Sequence, residues 1–314
     1  MWGRERLALL AVPILLAGCA HDSLPEPRPA PAPQIALSSV LAAVRRAPAI
    51  RTLPPDLTPS LATAAADIGF DNEKCEVAPG ADDLAEPCVF GDPAGAEAVV
   101  LFGDSHAGMW LPAMREIAER RHWRLEFHGK PACPVPGLTF WNQRDGRPFA
   151  ACDRFRDGVL DRVRALRPAL VVVASASFSQ KLDRDDLVTP SQWKAGLIAT
   201  LSALKQAADR VVVLGDLPVL DESGPECLAA HSRNVPACFT SRARATERVW
   251  NAADQSAATA AGAGYVPVLP WLCSAVCTPV IGNVAVYRNR FHLTGTYVRT
   301  LNGVLEQSLV AEAS

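Results

Sequence analysis

Two rhythms of apolar and polar positions run through this chain, and the change from one to the other marks where strands give way to helices. Residues 98–102 (AVVLF) are apolar without interruption, and Gly103, Asp104, Ser105 and His106 then break the run. After Pro112 the pattern turns amphipathic. Met114, Ile117 and Ala118 fall on one helical face, and Arg115, Glu116, Glu119 and Arg120 on the other. That order predicts a buried parallel strand, a tight glycine turn and a helix. Four more strands are expected at 124–129, 169–175 (ALVVVAS), 210–216 (RVVVLGD) and 265–269. Between them Phe155, Val159, Val163 and Leu166 recur at helical spacing. Thr189-Pro190-Ser191-Gln192 has the form of a capping box ahead of the stripe Trp193, Leu197, Leu201, Leu204 and Ala208. A further helix is expected over about 241–261. A last one starts at Thr294, with Tyr297, Leu301, Val304 and Leu305 facing inward. Five strands alternating with helices predict an α/β fold: a doubly wound, flavodoxin-like, five-stranded parallel sheet in a three-layer α/β/α arrangement.

The chain's beginning follows different rules. Arg4 and Arg6 precede an apolar stretch, 7–17, that is too short to span a bilayer but suits a secretory signal. It ends Leu16-Ala17-Gly18-Cys19, which resembles a bacterial lipobox; the resemblance implies cleavage before Cys19 and lipidation of its thiol. Ala20, where an aspartate would signal retention, points to an outer-membrane lipoprotein facing the periplasm, with the lipid bilayer as a partner through Cys19. Pro25, Pro27, Pro29, Pro31 and Pro33 alternate with other residues and predict an extended tether. The expected division is therefore a signal peptide at 1–18, a proline-rich tether at 19–50, a lead-in at 51–97 and the sheet-bearing domain at 98–312. A short helical pattern covers 61–68 within the lead-in.

The chain has 314 residues, a formal charge of -2 and 20% charged residues. With no clustered Lys or Arg face, a nucleic-acid partner is not expected. Nine cysteines less Cys19 leave eight, an even number suited to disulfides in an exported chain. Eight cysteines allow 105 connectivities. Their clustering favours pairing of neighbours: Cys75–Cys88, Cys133–Cys152, Cys227–Cys238 and Cys273–Cys277. For the last two, zinc ligation at tolerable spacing is the alternative.

Ser105 would stand at the carboxyl end of a strand and the mouth of a helix, beside unpaired backbone N–H groups and the positive helix end. Ligands bind at such strand ends in open α/β sheets. The segment 287–294 (YRNRFHLT) precedes the last helix and belongs on the loop after the fifth strand, at the same edge. His292 is therefore the candidate base for Ser105 as nucleophile. Gly103 lacks the further glycines of a dinucleotide fingerprint, and neither a metal nor a cofactor is needed.

GDSHAGMW, with a histidine just before the last helix, resembles the SGNH hydrolase superfamily. The resemblance is closest to periplasmic SGNH domains associated with membrane acyltransferases that O-acylate envelope glycans, and it covers about 51–312. Also matching are the Cys75/Cys88 lead-in, Ala132-Cys133-Pro134, the pairs 227/238 and 273/277, and Tyr-Arg…His-Leu-Thr at 287–294. The resemblance implies Ser105 as nucleophile, His292 as base, the Ser105 N–H as oxyanion donor, Gly129 as a second donor and Asp104 as the brace of the turn. His106 is expected to be structural. It implies serine-dependent transfer or hydrolysis of an acyl ester, such as O-acetyl, on an envelope glycan or acylated saccharide, with a membrane acyltransferase as donor. Two positions depart from the family pattern. Asn289 stands where the family has an aspartate, and the asparagine after the third strand is missing, leaving Ser175, Ser177, Ser179 and Gln180 as side-chain donors there. These departures define the alternative: a weak or inactive SGNH-fold lipoprotein that binds glycan or assists an acyltransferase complex.

Overall fold

The apolar runs become the central sheet of the protein, seen here in a computed structural model that describes residues 35–78, 80–81 and 86–311. The expected signal peptide, Cys19 and the expected tether up to residue 34 lie outside the described residues. Six strands form the sheet: β1 (Cys88–Gly91), β2 (Glu97–Gly103), β3 (Trp123–Gly129), β4 (Leu170–Ala174), β5 (Arg210–Leu214) and β6 (Gly264–Val266). Their order is β1-β3-β2-β4-β5-β6. The last five strands of that order are parallel and switch direction of winding beside β2, as a flavodoxin-like sheet does.

Successive strand residues point to opposite faces, and two cores result. Val99, Leu101, Leu125, Leu170, Val172 and Val212 pack on one side against helices α1 (Leu37–Arg46), α2 (Ser105–Arg121), α6 (Gly295–Thr300) and α7 (Asn302–Ala311). Val100, Phe102, Val171, Val173, Val211 and Val213 pack on the other against α3 (Ala150–Leu166), α4 (Pro190–Lys205) and α5 (Asn251–Ala261). The layers are α/β/α. The capping box at α4 is formed on both sides, Thr189 Oγ1 accepting from Gln192 N–H and Gln192 Oε1 accepting from Thr189 N–H. No helix among the described residues is long and apolar enough to cross a membrane.

The structure corrects four expectations. The sheet has six strands, not five, because β1 in the lead-in pairs antiparallel with β3, Cys88 opposite Phe127 and Gly91 opposite Arg124. The tether does not reach residue 50: residues 37–46 are helical, and Val40 and Val44 are buried in the first core. The helix expected over 241–261 is two, Arg242–Thr246 and α5. The chain breaks where Trp250 stacks edge-on to Trp193 and its N–H donates to Ser177 Oγ. The fifth parallel strand is shorter than expected, since residues 269–271 form a 3-10 turn instead.

All eight cysteines of this region are joined as neighbours: Cys75–Cys88, Cys133–Cys152, Cys227–Cys238 and Cys273–Cys277. The first of these ties the segment before β1 to β1, and that segment reaches the carboxyl edge of the sheet. Val77 N–H donates to Gly129 O at 2.8 Å.

Candidate active site

Gly103 ends β2 at a point where no other residue fits. A Cβ there would lie 1.9 Å from Ala174 O of the neighbouring β4, and its φ is +156°. The chain then enters α2 directly. Asp104 is the N-cap: its Oδ1 accepts from His106 N–H at 2.8 Å. Its Oδ2 accepts from Ala176 N–H at 2.9 Å and Ser175 Oγ–H at 3.3 Å, which ties the turn after β2 to the loop after β4. Ser105 is thus the first residue of a 17-residue helix, where backbone N–H groups have no carbonyl of their own helix to meet.

The partner arrives from the other end of the chain. Tyr287 and Leu293 pair across a narrow turn, and Arg288 N–H donates to His292 O at 2.9 Å. This turn carries His292 to Ser105, with Nε2 2.9 Å from Oγ. Asn289 lies behind the ring, its Nδ2 2.9 Å from His292 Nδ1. Asn289 Oδ1 accepts from the N–H groups of Phe291 (3.0 Å) and His292 (2.8 Å), so the amide cannot turn over without losing both bonds. Its N–H therefore faces Nδ1, which must accept. The ring then carries its proton on Nε2 and donates to Ser105, the tautomer opposite to the one a general base needs. Burial pulls the His292 imidazole down to about 2, with the charges of His106 and Arg288 adding to the effect.

His106 turns away from Ser105 and pairs with a residue the sequence reading did not single out. Its Nδ1 is 2.7 Å from Asp216 Oδ1 just past the end of β5, and both side chains are buried. Asp216 Oδ2 accepts from Ser177 N–H and Oγ–H at 2.8 and 2.7 Å. Burial opposes protonation of His106, but the charge and hydrogen bond of Asp216 outweigh it and raise its pKa. Its ring stands 5.5 Å from that of His292, centroid to centroid. An aspartate ending a parallel strand, as in Leu214-Gly215-Asp216, is the signal that identifies this partner.

The side-chain donors expected after the third parallel strand are committed elsewhere. Ser175 serves Asp104, Ser177 serves Asp216, and Gln180 Nε2 donates to Ala176 O at 3.0 Å. Ser179 is exposed, with positive φ. Gly129 lies level with Gly103 across β2 and β3, and its outer edge is covered by the bridge to Glu76.

A small cleft opens at Ser105, walled by Ile68, Phe70, Gly108 and Met109. Two further residues line it, Glu76 from the disulfide-tied lead-in and Arg288 from the His292 turn. Burial pushes the Glu76 carboxyl up to about 7, against the pull of Arg288 and with help from Asp104. Among the described residues no group of three or more His, Cys, Asp or Glu side chains is placed to hold a metal ion.

The model of the SGNH domain family, described as fused to AT3 domains, matches residues 74–307. The chain belongs to the SGNH domain family. Several solved structures are similar to the chain, the first of them sharing its fold. The periplasmic domain of the lipopolysaccharide acetyltransferase of Salmonella Paratyphi A is 14% identical, with a TM-score of 0.54 over 68% of this chain and 84% of that one. An acetyl-xylooligosaccharide esterase from Geobacillus is 11% identical over 68% and 94%, TM-score 0.42. A GDSL-like lipase from Bacteroides thetaiotaomicron is 14% identical over 68% and 88%, TM-score 0.39. No curated protein matches the chain. Within this SGNH domain, Ser105, His292 and Asn289 stand in line at the sheet's carboxyl edge, with Asp104 beneath them.

Proposed function

We propose that this SGNH domain transfers or hydrolyses a small acyl ester, of the O-acetyl type, on a cell-envelope glycan. The observation that carries the reading is the 2.9 Å contact between Ser105 Oγ and His292 Nε2 at the mouth of α2. Ser105 Oγ attacks the ester carbon and its proton passes to His292 Nε2. The alcohol then leaves with that proton, and a sugar hydroxyl or water releases the acyl group from Ser105. The step draws on the minor tautomer, with the ring proton on Nδ1 facing the Asn289 amide N–H, so turnover is slow.

The lipopolysaccharide acetyltransferase domain sharing the fold, and the family's fusion to AT3 domains, support an envelope saccharide as substrate and a membrane acyltransferase as donor. We extend the reading to a periplasm-facing lipoprotein anchored through Cys19 in the outer membrane. Its domains follow the sequence: signal 1–18, tether from residue 19, lead-in to 97, SGNH domain to 312. A second reading, a domain that binds glycan without turning it over, is favoured by the Asn289 amide facing Nδ1. The test is acetate release from O-acetylated envelope glycan, or transfer to deacetylated glycan, by the wild type against Ser105→Ala. Release or transfer that depends on Ser105 supports the enzyme; equal traces from both support the binding domain.

A further inference from the structure

The Arg288 guanidinium lines the same cleft as Ser105, is half-buried, and makes no side-chain hydrogen bond or ion pair with any described residue. A fork of five N–H donors that opens only into this cleft is available to an acceptor that enters it. Glu76 lines the same cleft and feels the Arg288 charge, but the two form no ion pair. The position is set by the fold. Arg288 N–H is fixed to His292 O within the turn that delivers the imidazole, so guanidinium and imidazole reach the site together. At the same edge, every side-chain donor after β4 except exposed Ser179 is tied to another protein group. A charged donor thus lines the Ser105 cleft, while the side-chain donors after β4 are occupied elsewhere.

We propose that Arg288 is a catalytic residue: its guanidinium, with the Ser105 N–H, binds the acyl oxygen as that oxygen becomes negative. The assignment rests on the acyl-ester reading above. As the bond from Ser105 Oγ to carbon forms, the carbonyl π pair moves onto oxygen and the serine proton goes to His292. When the pair returns, the bond to the alcohol oxygen breaks and the alcohol leaves with the proton. The negative oxygen exists only between these events, so an N–H fork aimed at it lowers the barrier more than it strengthens substrate binding.

The test is Ser105-dependent hydrolysis of p-nitrophenyl acetate by the full chain, measured in the wild-type and Asn289→Asp backgrounds. Arg288→Gln should lower kcat about 10²–10³-fold with KM within about threefold. Arg288→Lys, which keeps the charge but loses the fork, should fall between and guards against a folding defect in the first variant. Unchanged kcat in Arg288→Gln overturns the proposal while leaving the acyl-ester reading intact. An effect confined to KM also overturns it, since Arg288 would then hold a part of the substrate remote from the reacting carbonyl. No Ser105-dependent turnover in either background removes the acyl-ester reading, and this assignment with it.

Discussion

Asn289→Asp should convert a slow serine into a fast one. The wild-type amide gives its N–H to His292 Nδ1 at 2.9 Å and anchors its oxygen on two backbone N–H groups. Aspartate has the same shape, so one oxygen keeps both anchors and the other replaces Nδ2. It must then accept from Nδ1–H, which places a lone pair on Nε2 towards Ser105. When the ring takes the serine proton, a carboxylate at the same 2.9 Å attracts the imidazolium by about 6 kcal/mol at an effective dielectric constant of roughly 20. That figure caps the gain at about 10⁴-fold. It agrees with the loss of about 10⁴ caused by the reverse change in Ser–His–Asp proteases. Asn289 is half-buried, so desolvating the new carboxylate takes back part, and a gain of about 10²–10⁴ is expected. The assay is the p-nitrophenyl acetate rate of Asn289→Asp less that of the Ser105→Ala, Asn289→Asp double variant. A rate unchanged or lowered by the substitution, in a folded protein, refutes the tautomer argument.

Other outcomes follow from the same geometry. His292 is held down to about 2, so its imidazole stays neutral through the range where a free histidine titrates, and kcat/KM should show no inflection near pH 6.5. Glu76 is raised to about 7. Its folded form keeps a proton that the unfolded chain loses near 4.5, so the stability it adds is full below that pH and lost as pH rises through about 7. Thermal melts of Glu76→Gln against wild type should accordingly converge or cross between pH 4.5 and 7; parallel curves would contradict this. Replacing Cys75 and Cys88 by alanine releases a loop with a sequence separation of 13 and should cost about 3 kcal/mol in denaturant unfolding. Gly108→Ala would place a Cβ 2.7 Å from Glu76 Oε1 and 3.2 Å from Phe70 Cζ, both on the walls of the cleft. Ester turnover should slow while the melting temperature moves little.

The parts of this site that could be read from the sequence share one property: each is set by a local period or by chain order. Short, valine-rich apolar runs such as 169–175 read as strands buried on both faces, and their alternation with helices points to the parallel sheet and its α/β/α layers. The sheet in turn puts the residue after β2 and the turn before α6 at one edge, which is why Ser105 and His292 were legible across 187 positions. Asn289 was legible by its spacing from His292. What escaped depends on contacts between distant segments. The four residues of β1 are half-buried with no alternation, so nothing local marks them as a strand. The break at Trp250 is made by Trp193 and Ser177, from two other elements. Asp216 matters because His106 meets it, and Glu76 reaches the cleft only because Cys75–Cys88 and the bridge to Gly129 carry it there. Helix α1 was hidden by its neighbourhood, the prolines upstream masking the apolar pair Val40 and Val44.

The central claim is that Ser105 is a nucleophile driven by the imidazole beside it. Mass mapping of the full chain after incubation with a fluorophosphonate tests this most directly, because the reagent bonds only to a serine that can surrender its proton. The account predicts a slow adduct on Ser105 in the wild type, faster in Asn289→Asp, much reduced in His292→Ala and absent in Ser105→Ala. A folded wild type and a folded Asn289→Asp that both remain unmodified at Ser105 would contradict it.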